Sequence, residues 1–190
     1  ALKLYETGKY AELKEFCEPL IFVYSGDNEL KRLAGMNYIR LGEELKGAEL
    51  YASAIDGETG GFDAAKVIKI LYYNRSYGDL LAFYNRRILV DNMDMAYYYG
   101  VSLLMMERAD EALVMLESAM KYGYSDRRGL YYHMGLACEK KRDNRRAEEF
   151  LVKAYEAGPA DDEIVRALVR VFSKTGKYES AELLLRKRRL

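Results

Sequence analysis

One histidine and two cysteines are the residues of this chain best suited to act as a base, a nucleophile or a metal ligand. His133 and Cys138 stand five positions apart in one helical pattern, whereas Cys17 lies far from both. Five positions along a helix leave two side chains about 140° apart, so these two do not face each other. A cysteine–histidine nucleophilic pair within this helix is therefore excluded. We predict that both cysteines are small core hydrophobes and that His133 has a packing role.

A glycine-rich stretch at residues 57–61 is the second place where the sequence resembles a chemical site. It lacks the Gly-Lys-Ser/Thr ending of a phosphate-binding loop. The acidic residues from Asp56 onward begin a calcium-loop pattern, but Gly60 and Val67 take the fifth and twelfth positions, where ligands belong. No two carboxylates are marked by their spacing as an acid and a base. The sequence thus predicts no catalytic residue, no metal ion and no cofactor, and the protein is not expected to be an enzyme.

The composition indicates which elements carry these residues. Of 190 residues, 50% are hydrophobic and 32% are charged, and only two are proline. So few helix breakers in a balanced composition favour a globular, all-α protein. Basic and acidic residues number 30 each, so the net charge is zero and no global field attracts nucleic acid. Tyrosine, with 18 copies, suits half-buried and interface positions.

A tight-turn position recurs along the whole chain at intervals of 32 to 35 residues. Its successive occupants are Gly8, Gly42, Arg75, Glu107, Arg142 and Gly176. Small or apolar residues recur seven positions before it and five positions after it, as in the pair Gly100 and Ala112. Small residues at both positions allow two helices to cross closely. A short helix pair of this kind buries its apolar stripe only by stacking on its neighbours.

The 3.6-residue periodicity between these turns predicts ten helices. They cover residues 27–41, 43–56, 62–74, 77–90, 93–107, 109–122, 127–141, 144–157, 160–175 and 178–189. Residues 56–61 are predicted to form a flexible connection. Pro19 falls inside a further helical segment near the start, and we expect it to kink or end that helix.

The repeat length and these recurring positions resemble the tetratricopeptide repeat (TPR) family, and the resemblance covers essentially the whole chain. The best-matching unit runs over residues 93–127. The resemblance implies a right-handed superhelical solenoid of antiparallel helix–turn–helix repeats, with about five and a half units in one domain over residues 1–190. The units are expected at residues 1–27 (partial), 28–60, 61–92, 93–127, 128–161 and 162–190.

In this family the first helices of the units line a concave groove that binds partners. The family's lining positions imply a groove here with aromatic and aliphatic residues in its middle and basic residues at both ends. The predicted partner-binding residues are Arg32, Met36, Arg40, Lys69, Tyr72, Tyr73, Tyr97, Val101, Met105, Tyr132, Leu136, Arg166, Arg170 and Lys174. The same positions include Leu104, Glu139 and Lys140. Tyrosine and arginine often carry binding energy, although each of these tyrosines fits packing between helices equally well.

The resemblance implies a protein–protein interaction scaffold that binds a peptide segment or a protein subunit within a multiprotein assembly. The groove composition suits a segment with apolar anchors and acidic flanks. Self-association through the terminal repeats is a second contact to expect. The alternative is an RNA-binding helical-repeat module, because Met120-Lys121-Tyr122-Gly123 also resembles the pentatricopeptide repeat. The zero net charge and the drifting unit length count against that alternative.

Two cysteines without a pairing pattern, and no visible signal sequence, favour the cytoplasm. No apolar run reaches the roughly 18 residues of a membrane span. Ala1 stands inside a helical pattern, which indicates a fragment of a larger protein.

Overall fold

A computed structural model describes residues 1–54, 62–85 and 93–187, which form twelve helices and contain no β-strand. The helices are α1 (Leu2–Glu6), α2 (Tyr10–Val23), α3 (Asn28–Arg40), α4 (Glu44–Ser53), α5 (Phe62–Tyr73), α6 (Tyr77–Asn85), α7 (Met93–Met105), α8 (Ala109–Lys121), α9 (Arg127–Lys140), α10 (Asn144–Ala157), α11 (Asp162–Lys174) and α12 (Tyr178–Lys187). The predicted all-α class is confirmed. The ten predicted helices are present, and their described ends differ by at most three residues from those expected, the largest difference being at the end of α4. The connection predicted at residues 56–61 lies outside the described residues.

The chain divides into two compact units, Ala1–Val90 and Asp91–Leu190. The first unit contains α1 to α6, and the second contains α7 to α12. Within the units, successive helices pack as pairs, for example α3 on α4, α7 on α8 and α9 on α10. This pairing is the helix–turn–helix arrangement that the periodicity predicts. The exact repeat boundaries and the organisation as one domain stay predictions.

Aspartate side chains cap the N-termini of four helices. Asp27, Asp126, Asp143 and Asp161 accept hydrogen bonds from first-turn backbone N–H groups at 2.9, 3.0, 3.1 and 3.0 Å, respectively. Each bond satisfies a donor that has no partner inside the helix, which stabilises the helix by about 1 kcal/mol. The caps therefore fix where α3, α9, α10 and α11 begin.

The six recurring turn positions all adopt the left-handed backbone conformation. Their φ angles are 73° at Gly8, 86° at Gly42, 60° at Arg75, 63° at Glu107, 63° at Arg142 and 74° at Gly176. The residue after each turn then donates its N–H back into the preceding helix, as from Asp143 N to Cys138 O at 3.0 Å. This closure satisfies a carbonyl at the helix end and reverses the chain for the next helix.

Small residues allow the close crossing of α3 and α4. A Cβ atom added to Gly35 would lie 2.7 Å from the carbonyl oxygen of Gly47, and one added to Gly47 would lie 2.5 Å from the carbonyl oxygen of Gly35. The equivalent Gly100 in α7 is less crowded, since its added Cβ would lie 3.0 Å from Leu116 Cγ. The predicted role of these positions in helix crossing agrees with the geometry.

Each unit has its own apolar core. In the first unit Leu13, Cys17, Ala34 and Tyr38 form a buried cluster. In the second unit the fully buried side chains include Leu116, Leu130, Met134, Leu151 and Ile164. Cys138 is 1% exposed, so both cysteines are core residues, as predicted.

Pro19 lies inside α2, which continues to Val23. Of the two expected outcomes, a kink or an end of the helix at Pro19, the second is therefore wrong and the first stays a prediction. Proline removes its own N–H donor and crowds the carbonyl one turn earlier, both of which disfavour a helix interior. Beyond the proline, Ile21 is partly buried against the cluster that includes Leu13 and Cys17, and this contact helps to hold the last turn of α2.

Candidate functional site

In the second compact unit, each of the helices α7, α9 and α11 is the first helix of a helix pair. Together these three helices line a pocket of about 270 Å³. We call it the Glu139 pocket. Its lining residues are Leu104, Met105, Leu136, Glu139, Lys140, Arg170 and Lys174. Four of the predicted groove residues, Met105, Leu136, Arg170 and Lys174, are thus brought together here.

Glu139 is the centre of an ion-pair cluster that joins α9 to α11. Its Oε1 accepts hydrogen bonds from Arg170 Nε and Lys174 Nζ, both at 2.7 Å, and its Oε2 accepts one from Arg170 Nη2 at 2.7 Å. Burial raises the pKa of Glu139, but the hydrogen bonds from the two cations outweigh burial and lower that pKa below its usual value. The carboxylate is therefore ionised at neutral pH.

A second ion pair joins α9 to the turn after α7. Lys140 Nζ donates to Glu107 Oε1 and Oε2 at 2.7 and 2.6 Å. Together the two clusters contain three cations and two carboxylates, so this part of the surface has one excess positive charge. The sequence did not single out Glu107 as a site residue. Only the stacking of one repeat on the next brings a turn residue beside Lys140.

The rest of the pocket lining is apolar. Leu104 is fully buried, Leu136 is partly buried, and Met105 is 42% exposed. An apolar floor beside a few charged groups is typical of a site that orients a ligand by polar contacts and holds it by burial.

Tyr97 and Val101, predicted to line the groove, are buried, with exposed fractions of 5% and 1%. The ring of Tyr97 stacks on Tyr124 with centroids 4.2 Å apart, and its hydroxyl lies 3.1 Å from His133 Nδ1. The same His133 nitrogen lies 2.8 Å from the carbonyl oxygen of Gly129, and burial lowers the pKa of His133. Tyr97 and His133 therefore have packing roles within the second unit.

Two further predicted residues of the second unit are at least partly exposed. Tyr132 is half-buried, its ring centroid is 5.1 Å from that of His133, and burial raises its pKa. Arg166, in α11, is exposed. Both side chains remain accessible to a partner, at least in part.

In the first unit, Arg32 and Met36 line a pocket of about 430 Å³ together with apolar side chains such as Leu30 and Leu33. Arg40, one turn further along α3, is exposed. Two carboxylates, those of Asp27 and Glu29, line the same pocket beside Arg32, so its lining is of mixed charge.

Lys69 and Tyr73 of α5 line another pocket of the first unit, with a volume of about 310 Å³. Tyr73 is 70% exposed, and its ring meets that of Tyr72 edge to face with centroids 5.4 Å apart. Tyr72 is itself partly buried. These three predicted residues therefore form one aromatic and basic patch within the first unit.

Apolar side chains are also exposed on the last described helix. Tyr178, Leu183 and Leu185 of α12 have exposed fractions of 68%, 56% and 47%. Such side chains fit the expected self-association, which stays a prediction.

Neither a metal site nor a membrane span is found in the described part of the chain. No group of three or more His, Cys, Asp or Glu side chains is arranged there to hold an ion. Nor does any described helix combine the length and the apolar character that a bilayer crossing requires.

No protein-family model and no curated protein matches this chain. Solved structures do match. YrrB, described as a TPR protein with an unusual peptide-binding site, is 17% identical over 86% of this chain and 86% of its own, with a TM-score of 0.61. MamA from Desulfovibrio magneticus RS-1 is 17% identical over 98% of this chain and 87% of its own, with a TM-score of 0.49. The likeness to YrrB, with the paired helices and recurring left-handed turns, shows that this chain has a TPR-type repeat fold.

Proposed function

We propose that this chain is a protein-interaction scaffold that binds a peptide segment or a protein subunit on the face formed by its first helices. The observation that carries the proposal is the Glu139 pocket, where apolar side chains adjoin a cluster with one excess positive charge. A segment with an apolar anchor and acidic residues is complementary to such a surface. The peptide-binding site in the description of YrrB adds support by analogy of fold.

The proposal extends to α5 of the first unit, where Lys69 lies beside Ile70 and Tyr73. Each of the two compact units thus has a pocket that basic and apolar side chains of a first helix line. We infer a partner that contacts several repeats within a multiprotein assembly. No catalytic step belongs to the proposal, because His133 contacts Gly129 and Tyr97 while Cys138 is buried.

A pull-down from the native source tests the proposal with a pocket variant and a surface control. Leu136→Glu combined with Arg170→Glu places acids in the pocket and is expected to abolish capture of the partner. Val114→Glu, on the 61% exposed Val114 of α8, is expected to leave capture unchanged. Circular dichroism must show equal helicity in all three proteins.

Which of the three proteins captures the partner shows where the binding surface lies. If the pocket variant captures the same partner as the unaltered protein, the binding surface is not this face. If Val114→Glu alone loses the partner, the second helices carry the binding surface. Capture of RNA, with salt-sensitive binding to single strands in a gel shift, would replace the proposal with the nucleic-acid alternative.

A further inference from the structure

We infer that Glu139 makes the pocket selective for a segment that places one carboxylate side chain beside an apolar residue, in preference to a segment with two adjacent negative charges. This inference rests on the proposed function, because it names the kind of segment that the same pocket accepts. It assigns to Glu139 a role in specificity rather than in overall affinity.

The charge of the pocket supports a limit of one ligand carboxylate. Arg170 and Lys174 share the single carboxylate of Glu139, and Lys140 pairs with Glu107. One ligand carboxylate, added to those of Glu139 and Glu107, therefore balances the three cations. A second would create an excess of negative charge among groups a few ångströms apart, which is unfavourable where water is partly excluded.

The burial of Glu139 indicates that it keeps its ion pairs with Arg170 and Lys174 when a ligand binds. Its side chain is 8% exposed, whereas those of Arg170 and Lys174 are 48% and 47% exposed. A guanidinium has five N–H donors and an ammonium has three, so both cations can bind a second acceptor while keeping Glu139. A ligand carboxylate is thus expected to join the cluster from the solvent side without displacing Glu139.

The apolar part of the pocket specifies the neighbouring residue of the ligand. Leu104, Leu136 and Met105 form this part, and the whole pocket, with a volume of about 270 Å³, has room for a side chain such as leucine or methionine beside the ligand carboxylate. The lining contains no amide or hydroxyl side chain to hold the backbone of a chain end. We therefore assign the carboxylate to an aspartate or glutamate side chain inside a segment.

Fluorescence anisotropy with three labelled peptides tests this selectivity. The peptides are identical except that a central leucine is followed by aspartate and serine, by asparagine and serine, or by two aspartates. For the unaltered protein we expect the single-aspartate peptide to bind about three- to tenfold more tightly than the asparagine peptide. The peptide with two aspartates should bind more weakly than the single-aspartate peptide, because its second carboxylate leaves an excess of negative charge in the pocket.

Glu139→Gln is the decisive variant, since it keeps the side-chain shape and removes the charge. We expect it to bind the two-aspartate peptide about five- to tenfold more tightly than the single-aspartate peptide. Glu156→Gln, at an exposed position of α10, makes the same change in net charge outside the pocket and should leave the unaltered ratio. Arg170→Gln should remove most of the preference for aspartate over asparagine.

The outcomes separate this inference from the proposed function. If leucine peptides bind irrespective of charge, or if Glu139→Gln strengthens both acidic peptides equally, Glu139 does not set specificity although the binding face stands. If no peptide binds while the partner is still captured through the pocket, the assigned segment is wrong. If, in addition, the pocket variant captures the same partner as the unaltered protein in the pull-down, the proposed function itself is overturned.

Discussion

Three residues other than glycine occupy the left-handed turn position, and Arg142 is the clearest case for a substitution. Its φ is 63°, and its side chain is exposed. A side chain with a Cβ atom is strained in this conformation by roughly 1 kcal/mol, and glycine is not. We expect Arg142→Gly to raise the free energy of unfolding by about 0.5–1 kcal/mol, which chemical denaturation monitored by circular dichroism would measure.

Two comparisons isolate the backbone as the cause of that gain. Arg142→Ala keeps a Cβ atom and should give no comparable stabilisation. Glu107→Gly relieves the same strain at φ 63° but loses the ion pair to Lys140, so its gain should be smaller. Equal stabilisation by the alanine and glycine variants of Arg142 would contradict this account.

At the scale of a helix pair, the crossing of α3 and α4 depends on Gly35. A Cβ atom there would lie 2.7 Å from the carbonyl oxygen of Gly47 and 2.9 Å from the backbone nitrogen of Tyr51. Backbone atoms yield only if the helices move apart. We therefore expect Gly35→Ala to lower the free energy of unfolding by about 2–3 kcal/mol, measured by urea denaturation.

Gly78 in α6 supplies the matched control. No atom lies within 4 Å of a Cβ atom added there, so alanine fits and improves helix propensity. Gly78→Ala should be neutral or stabilising by up to about 1 kcal/mol. Similar destabilisation by both variants would mean that the close crossing is not the cause.

The elements were predictable from the sequence because their causes are local. Turn positions such as Arg142, and small residues such as Gly35, repeat at nearly constant spacing, and that spacing predicts where helices end and cross. The site was predictable only in part. Helical spacing placed Arg170 and Lys174 on one face, but it could not show that Tyr124, from another segment, covers Tyr97. Nor could it show that two cations share Glu139, because that depends on how α11 stacks on α9.

At the scale of the whole molecule, the two compact units raise the question of independent folding. In repeat proteins each helix pair contacts mainly its neighbours, so stability is a sum of local terms. The second unit has its own buried side chains, including Leu130, Met134 and Leu151. It also has its own ion pairs, one between α9 and α11 and one between α9 and the turn after α7. Its stability therefore has sources inside residues 91–190.

We expect a fragment of residues 91–190 to fold alone, with a helical circular dichroism spectrum and a cooperative thermal transition. A shorter fragment, residues 107–190, keeps α8 to α12 but loses α7 and with it the packing of Leu116 against Gly100. It should melt at a clearly lower temperature, because one face of α8 loses its partner. The fragment 91–190 could instead unfold without cooperativity, or melt no higher than 107–190. Either result would mean that the second unit depends on the first and that residues 1–190 form a single domain.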